Sequence, residues 1–162
     1  MPVIRLQTVI HAPMERVFDL ARSVDLHQAS LAPSGETAVG GVTTGLIGPL
    51  QEVTWRAKHL GVWHYLTARI TAFERPHHFR DSMVRGAFRR FDHDHFFEET
   101  SDGAVMMRDV FDYTTPLGVL GRLADRIFLQ RYMTGLLIAR NQVLKETAES
   151  NHWENYVPAT GV

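Results

Sequence analysis

The sequence predicts an α+β fold in which a curved antiparallel sheet of six to seven strands wraps a long C-terminal helix. Three observations carry this reading. The stretch from Pro116 to Ala148 is the longest helix-compatible segment, with no proline between Leu117 and Ser150. Nearly everything before it alternates apolar and polar residues with the period of two expected of half-buried strands. One or two short helical turns interrupt that alternation just after the first strand.

The first strand is Val3 to Ile10, with Ile4, Leu6, Thr8 and Ile10 on one side. Ala12-Pro13 then opens a helix whose apolar side is Val17, Phe18 and Ala21, and a second turn follows over Val24–Ala29. Residues Pro33 to Pro49 hold five glycines and read as either a long loop, suited to a flap, or a strongly curved edge strand. Next comes a hairpin about Leu60-Gly61. Its two-residue turn sets His59 opposite Val62, Trp55 opposite Leu66, Val53 opposite Ala68 and Glu52 opposite Arg69, so apolar meets apolar and opposite charges meet. Arg75-Pro76 marks a turn, and Phe79–Arg85 forms the next strand. Phe88–Thr100 and Val105–Tyr113 are joined by Ser101-Asp102-Gly103, a loop suited to a type I turn with a glycine bulge. That loop pairs Phe97 with Met107, His95 with Asp109, His93 with Phe111 and Phe91 with Tyr113. The reverse face, Asp92, Asp94, Glu98 and Arg108, is charged and expected to be wet.

In the terminal segment Leu120, Leu123, Ala124 and Ile127 share one helical face, while Leu129, Met133, Leu136, Leu137 and Leu144 share a roughly opposite one. This predicts a short helix and a long one, broken near Phe128–Gln130. Residues 150–162 lack periodicity and are expected to form a flexible tail after a single domain over 1–149.

Composition excludes several function classes. The chain has 162 residues, 44% of them hydrophobic and 22% charged, as in an ordinary globular domain. Seventeen basic against 18 acidic side chains leave a formal charge of −1, which gives no electrostatic case for nucleic acid. With no cysteine there is neither disulfide nor thiolate chemistry. No run approaches the ~20 apolar residues of a membrane span, and no signal peptide is evident, so a cytoplasmic location is expected.

The segments HAPMERVFDLA, VTWRAKHLGVW, RPHHFRDSMVRGAFRRFDHDHFFEE, MMRDVFDYTTPLG and RLADRIFLQRYMTGLLIARNQVLK together resemble the START-like SRPBCC superfamily. They look closest to a bacterial branch of it with no assigned substrate. The resemblance covers most of residues 3–146 and implies the helix-grip fold, with a deep apolar cavity between sheet and terminal helix. Members of the superfamily bind lipids, quinones, hormones or polyketides, and some catalyse cyclisation, so fold alone does not choose a function.

Among residues that could carry chemistry, His93 and His95 leave one strand on the same face, with Asp109 placed to orient His95. They are the candidate catalytic groups, suited to general-base work or to anchoring a polar ligand end; the alternative is a hydrogen-bonded structural pair. No metal and no cofactor are expected, because a strand pair supplies this His/Asp set without the usual ligand spacing. The expected ligand-binding residues are Trp55, His64, Asp81, Arg85, Phe91, His93, His95, Phe97, Met107, Asp109, Phe111, Tyr113, Met133 and Leu137. No nucleophile motif, phosphate loop or dinucleotide fingerprint is present. The leading expectation is a non-enzymatic carrier or sensor, monomer or homodimer, of a small hydrophobic molecule that is lipid, quinone or polyketide-like. The alternatives are a cyclase, dehydratase or hydrolase-type enzyme using the His–Asp pair, and a protein-interaction module that uses the outer sheet face around Trp63 and Tyr65.

Overall fold

Residues 2–59, 61–115 and 128–158 are described by the computed structural model. Strand β1 (Val3–Ile10) leads into helices α1 (Met14–Ala21) and α2 (Val24–Ser30). Six more strands follow: β2 (Thr37–Gly41), β3 (Glu52–His59), β4 (Val62–Glu74), β5 (His78–Arg85), β6 (Arg90–Glu99) and β7 (Val105–Thr114). Helix α3 (Gln130–Ala148) closes the order, followed by a 3-10 turn over Asn151–Asn155. All seven strands form one antiparallel sheet in the order β1-β7-β6-β5-β4-β3-β2. Among the described residues, no helix is long and apolar enough to cross a membrane.

The two hairpins keep the register their side chains dictate. Trp55 faces Leu66, Val53 faces Ala68, and Glu52 faces and ion-pairs with Arg69. In the second hairpin Phe97 faces Met107, His95 faces Asp109 and Phe91 faces Tyr113. Gly103 sits at φ 80°, the left-handed conformation a glycine bulge requires. The glycine-rich stretch contains a short edge strand, β2, with a bulge between Ala38 and Gly40. It ends at Gly41, where φ is 69° and a Cβ would collide with the carbonyl oxygen of Glu52.

Helix α3 is tied by side-chain bonds to β1 and to the end of α1. Lys145 Nζ donates to the carbonyl of Val9 at 2.5 Å, and Arg140 Nη2 donates to that of Ala21 at 3.0 Å. Phe128 and Leu129 form a widened helical turn before Gln130, at the position of the expected break. The short helix expected around Leu120–Ile127 lies outside the described residues.

Two expectations are corrected for the described residues; positions 159–162 of the expected tail lie outside them. Residues 150–158 are folded against the body: Ser150 caps the 3-10 turn, Trp153 stacks under Arg16 at 4.3 Å, and Val157 is buried in the core. A few apolar groups, too closely spaced to show periodicity, are enough to dock this short segment. On the reverse face Asp94 is buried rather than wet, because Arg80 and His78 close over it at 2.8 and 2.7 Å.

Asp19 of α1 ties that helix to the turn between β4 and β5. Arg22 reaches it at 2.7 Å, and Arg75, in the turn after β4, at 2.8 Å. Burial alone would raise its pKa, but the bonds from Arg75 and Arg22 outweigh burial and hold it below the ordinary value. A depressed folded pKa contributes stability that is full above the unfolded value of about 3.9 and lost as pH falls through the folded one. Asp19→Asn should therefore cost about 1–3 kcal/mol at neutral pH, trimmed by the solvent exposure of Arg75. Between pH 7 and pH 3 the wild type should lose more stability than the variant in urea titrations; parallel losses would show that the pair contributes nothing.

Leu144 is 2% exposed and packs in the core, whereas Leu136 is not buried and lines open space. Leu144→Ala should cost about 2–5 kcal/mol and Leu136→Ala distinctly less, because only the first leaves a new hole in packed surroundings. Equal unfolding midpoints for the two variants would contradict this placement of α3.

Candidate functional site

A cavity of about 370 Å³ lies between the sheet and α3. Its walls are mainly apolar: Trp55, Ala68, Ile70 and Phe91 from the sheet meet Met133 and Leu137 from the helix. Set into the wall is a compact polar group supplied by three adjacent strands. Antiparallel pairing puts Asp81 of β5 opposite His93 of β6, and Asp109 of β7 opposite His95 of β6. Alternation then turns all four side chains to the concave face.

Asp109 is the hub. Its Oδ1 is 3.1 Å from His93 Nε2 and 2.8 Å from His95 Nδ1. Its Oδ2 accepts a hydrogen bond from Asn141 Nδ2 of α3 at 2.6 Å, and Arg140 Nη1 lies 3.6 Å from Oδ1. Asp81 stands on the cavity side of the same two imidazoles, with Oδ1 3.1 Å from His95 Nε2 and 3.9 Å from His93 Nδ1. Phe79 stacks on His95 at 4.3 Å, and Phe111 meets His93 edge-on at 5.2 Å, so both rings are locked by packing.

The electrostatics separate the two histidines. Burial would lower both. At His95 the carboxylates of Asp109 and Asp81 together outweigh burial, and its pKa stands above the ordinary value. At His93 burial and the positive charge of His95 prevail over Asp109, and its pKa is lowered. Burial opposes the charge of Asp109, but its bonds from His93 and His95 hold its carboxyl well below the usual range. Asp81 is lowered in the same way, with the bond from His95 and the charges nearby outweighing burial.

Of the residues expected to bind a ligand, Trp55, His64, Asp81, Phe91, His93, His95, Phe111, Met133 and Leu137 line the cavity. Arg85, Phe97, Met107, Asp109 and Tyr113 do not. Arg85 is displaced by a β-bulge: Ala68 pairs with Met83 but Thr67 pairs with Arg85, so Val84 is the extra residue and Arg85 turns to the exposed face. Phe97 and Met107 are fully buried in the core, where the Phe97 ring lies 5.3 Å from that of Phe18 of α1. Tyr113 packs behind the wall against Phe88 and Phe111. Asp109 sits behind the histidines.

Sequence reasoning missed Arg140 and Asn141. The signal was present, for both fall on the stripe of Leu137, Leu144 and Ala148 at helical spacing, and polar groups on a buried stripe need partners inside. A second polar cluster at the β2–β3 side of the cavity was also missed. There Glu36 bonds His27 at 2.8 Å, and His59 Nδ1 lies 2.9 Å from the Tyr132 hydroxyl. Burial opposes the charge of Glu36, but the His27 bond and neighbouring positive charge outweigh it and lower its pKa, while burial depresses His59.

No family model and no curated protein matches the sequence. Solved structures do match the fold. The protein TTHA0849 of Thermus thermophilus is 20% identical with a TM-score of 0.73, over 91% of this chain and 97% of its own. The ZhuI aromatase/cyclase of Streptomyces sp. R1128 is 14% identical with a TM-score of 0.73, over 99% of both chains. A START superfamily protein of Mycobacterium smegmatis is 10% identical with a TM-score of 0.66, over 91% of this chain and 97% of its own. At these identities the likeness is one of architecture: the chain has the START-like, helix-grip fold.

Proposed function

We propose that the protein binds a small hydrophobic molecule bearing a polar group, as a carrier or sensor. The observation that carries this reading is an apolar cavity of about 370 Å³, within the usual range for ligand sites, with a buried His–Asp cluster in its wall. Burying apolar surface supplies the affinity, and Asp81, His93 and His95 orient the polar end. The solved structures of like fold include an aromatase/cyclase, and the cluster's geometry supports a second reading. Two imidazoles that line the cavity, each backed by a carboxylate, suit proton transfer on a bound molecule. A filled interior would favour the interaction-module reading, and a cavity of this size speaks against it.

Binding is tested with a lipophilic fluorescent dye and with native mass spectrometry of the purified protein after organic extraction. The dye should bind saturably well below the unfolding temperature. Ala57→Phe projects a ring from the cavity wall and should weaken it at least tenfold, about 1.4 kcal/mol. Ala68→Leu serves the same purpose if the first variant misfolds. Dye uptake only near the unfolding temperature, or uptake indifferent to both substitutions, would overturn the reading. A chemically altered extract after incubation would favour catalysis over carriage.

A further inference from the structure

We propose that Asp81, His93 and His95 form a three-ligand site for a divalent transition-metal ion, with Asp109 as its positioning residue. The expectation of no metal rested on missing spacing within one segment; here the ligands come from two neighbouring strands, and Asp81 takes the place that the sequence suggested for Asp109. One donor atom from each of the three lies within 4.8 Å of the others. His95 Nε2 and His93 Nδ1 stand 3.1 and 3.9 Å from Asp81 Oδ1. Metal–ligand bonds of about 2.0–2.2 Å put donors roughly 3.0–3.5 Å apart, so small side-chain shifts complete the triangle.

Two further features separate this set from a chance cluster. A ligating imidazole ordinarily gives its other nitrogen to a carboxylate that fixes the ring. Here the far nitrogen of His93 hydrogen-bonds Asp109 Oδ1 at 3.1 Å. That of His95 lies 2.8 Å from the same oxygen but off the bonding direction, so that a small ring rotation completes the pair, and Asn141 holds the carboxylate from behind at 2.6 Å. The three ligands line the cavity while Asp109 does not, so the outer layer lies on the dry side and the open coordination positions lie on the hollow one. Charge also fits. Among the described residues, two carboxylates, Asp81 and Asp109, face the buried guanidinium of Arg140 and the imidazole of His95; when His95 gives up its proton to ligate, a bound cation replaces the charge that is lost. Two imidazoles and one carboxylate with free positions suit zinc or iron(II) rather than calcium or magnesium. The open positions would take water or an oxygen of the cavity's occupant. This site does not depend on which molecule, if any, fills the cavity.

The test is titration of untagged, chelator-treated protein with cobalt(II), read by visible d–d absorption, and with zinc(II), read by calorimetry, without added ligand. One equivalent should bind, with the intense absorption of a low-symmetry site. Asp81→Asn and His93→Ala should abolish the spectrum, and Asp109→Asn should weaken binding about 10–100-fold. His11→Ala/His152→Ala, which removes two exposed surface histidines, should change nothing. If the folded wild type takes up no cobalt, the proposal is overturned. It is equally overturned if uptake survives Asp81→Asn, or if it is lost with the surface histidines. Should His93→Ala misfold, Asp81→Asn, at the cavity surface, decides alone. Dye binding with no cobalt uptake would leave the cavity reading standing and remove only this one.

Discussion

The ionised carboxylate of Asp109, 1% exposed, is the constraint on which the interior depends. A buried charge costs several kcal/mol unless it is paired and hydrogen-bonded. Asp109 meets that demand with groups from two elements: His93 and His95 on β6, Asn141 and Arg140 on α3. It thereby fixes the rotation of the helix relative to the sheet, since turning α3 by one residue would withdraw both partners. Apolar contacts such as those of Leu137 and Leu144 hold the helix down but tolerate sliding. The polar hub specifies one arrangement, as a buried polar residue does when it sets the register of packed helices.

The concave face serves two purposes along its length. At one end α1 plugs the space: Phe18 meets Phe73, Phe79 and Phe97 edge-on at 5.3–5.4 Å, and the result is ordinary close-packed core. At the other end α3 spans the sheet with thinner cover, and the space stays open. The polar group lies at this boundary, where Phe79 touches both Phe18 and His95. Rigid packing on one side therefore supports the imidazoles that line the hollow on the other. Supporting packing of this kind keeps a site's geometry fixed in the absence of a ligand.

Much of this arrangement was legible in the sequence, because register follows from alternation and turn length alone. The loop Ser101–Gly103 and the two-residue gap between His59 and Val62 determined which side chains oppose one another, and His95 does face Asp109. What alternation cannot show is depth. Phe97 and Phe91 occupy the same face of one strand, yet the first meets α1 and the second lines the cavity, a difference set by helices distant in sequence. Bulges are equally silent: Val84 breaks the period in β5 and sends Arg85 outward, and no turn residue announces it. The partners of the hub were missed for a third reason. Arg140 and Asn141 are ordinary surface residues for a helix, and only their place on a buried stripe marks them as interior.

The division of labour between the two carboxylates follows from the same geometry. Asp109 is enclosed by donors from sheet and helix, which spend its acceptor capacity on holding the scaffold together. Asp81 has its side chain 24% accessible at the cavity wall, and its carboxylate accepts a hydrogen bond from His95 while His93 stands farther off. A carboxylate with spare lone pairs beside an apolar wall interacts more strongly with a polar group than it would in open water. Two like residues, one strand apart on either side of β6, are thus given opposite roles by their surroundings. The inner one fixes positions, and the outer one keeps acceptor capacity facing the cavity.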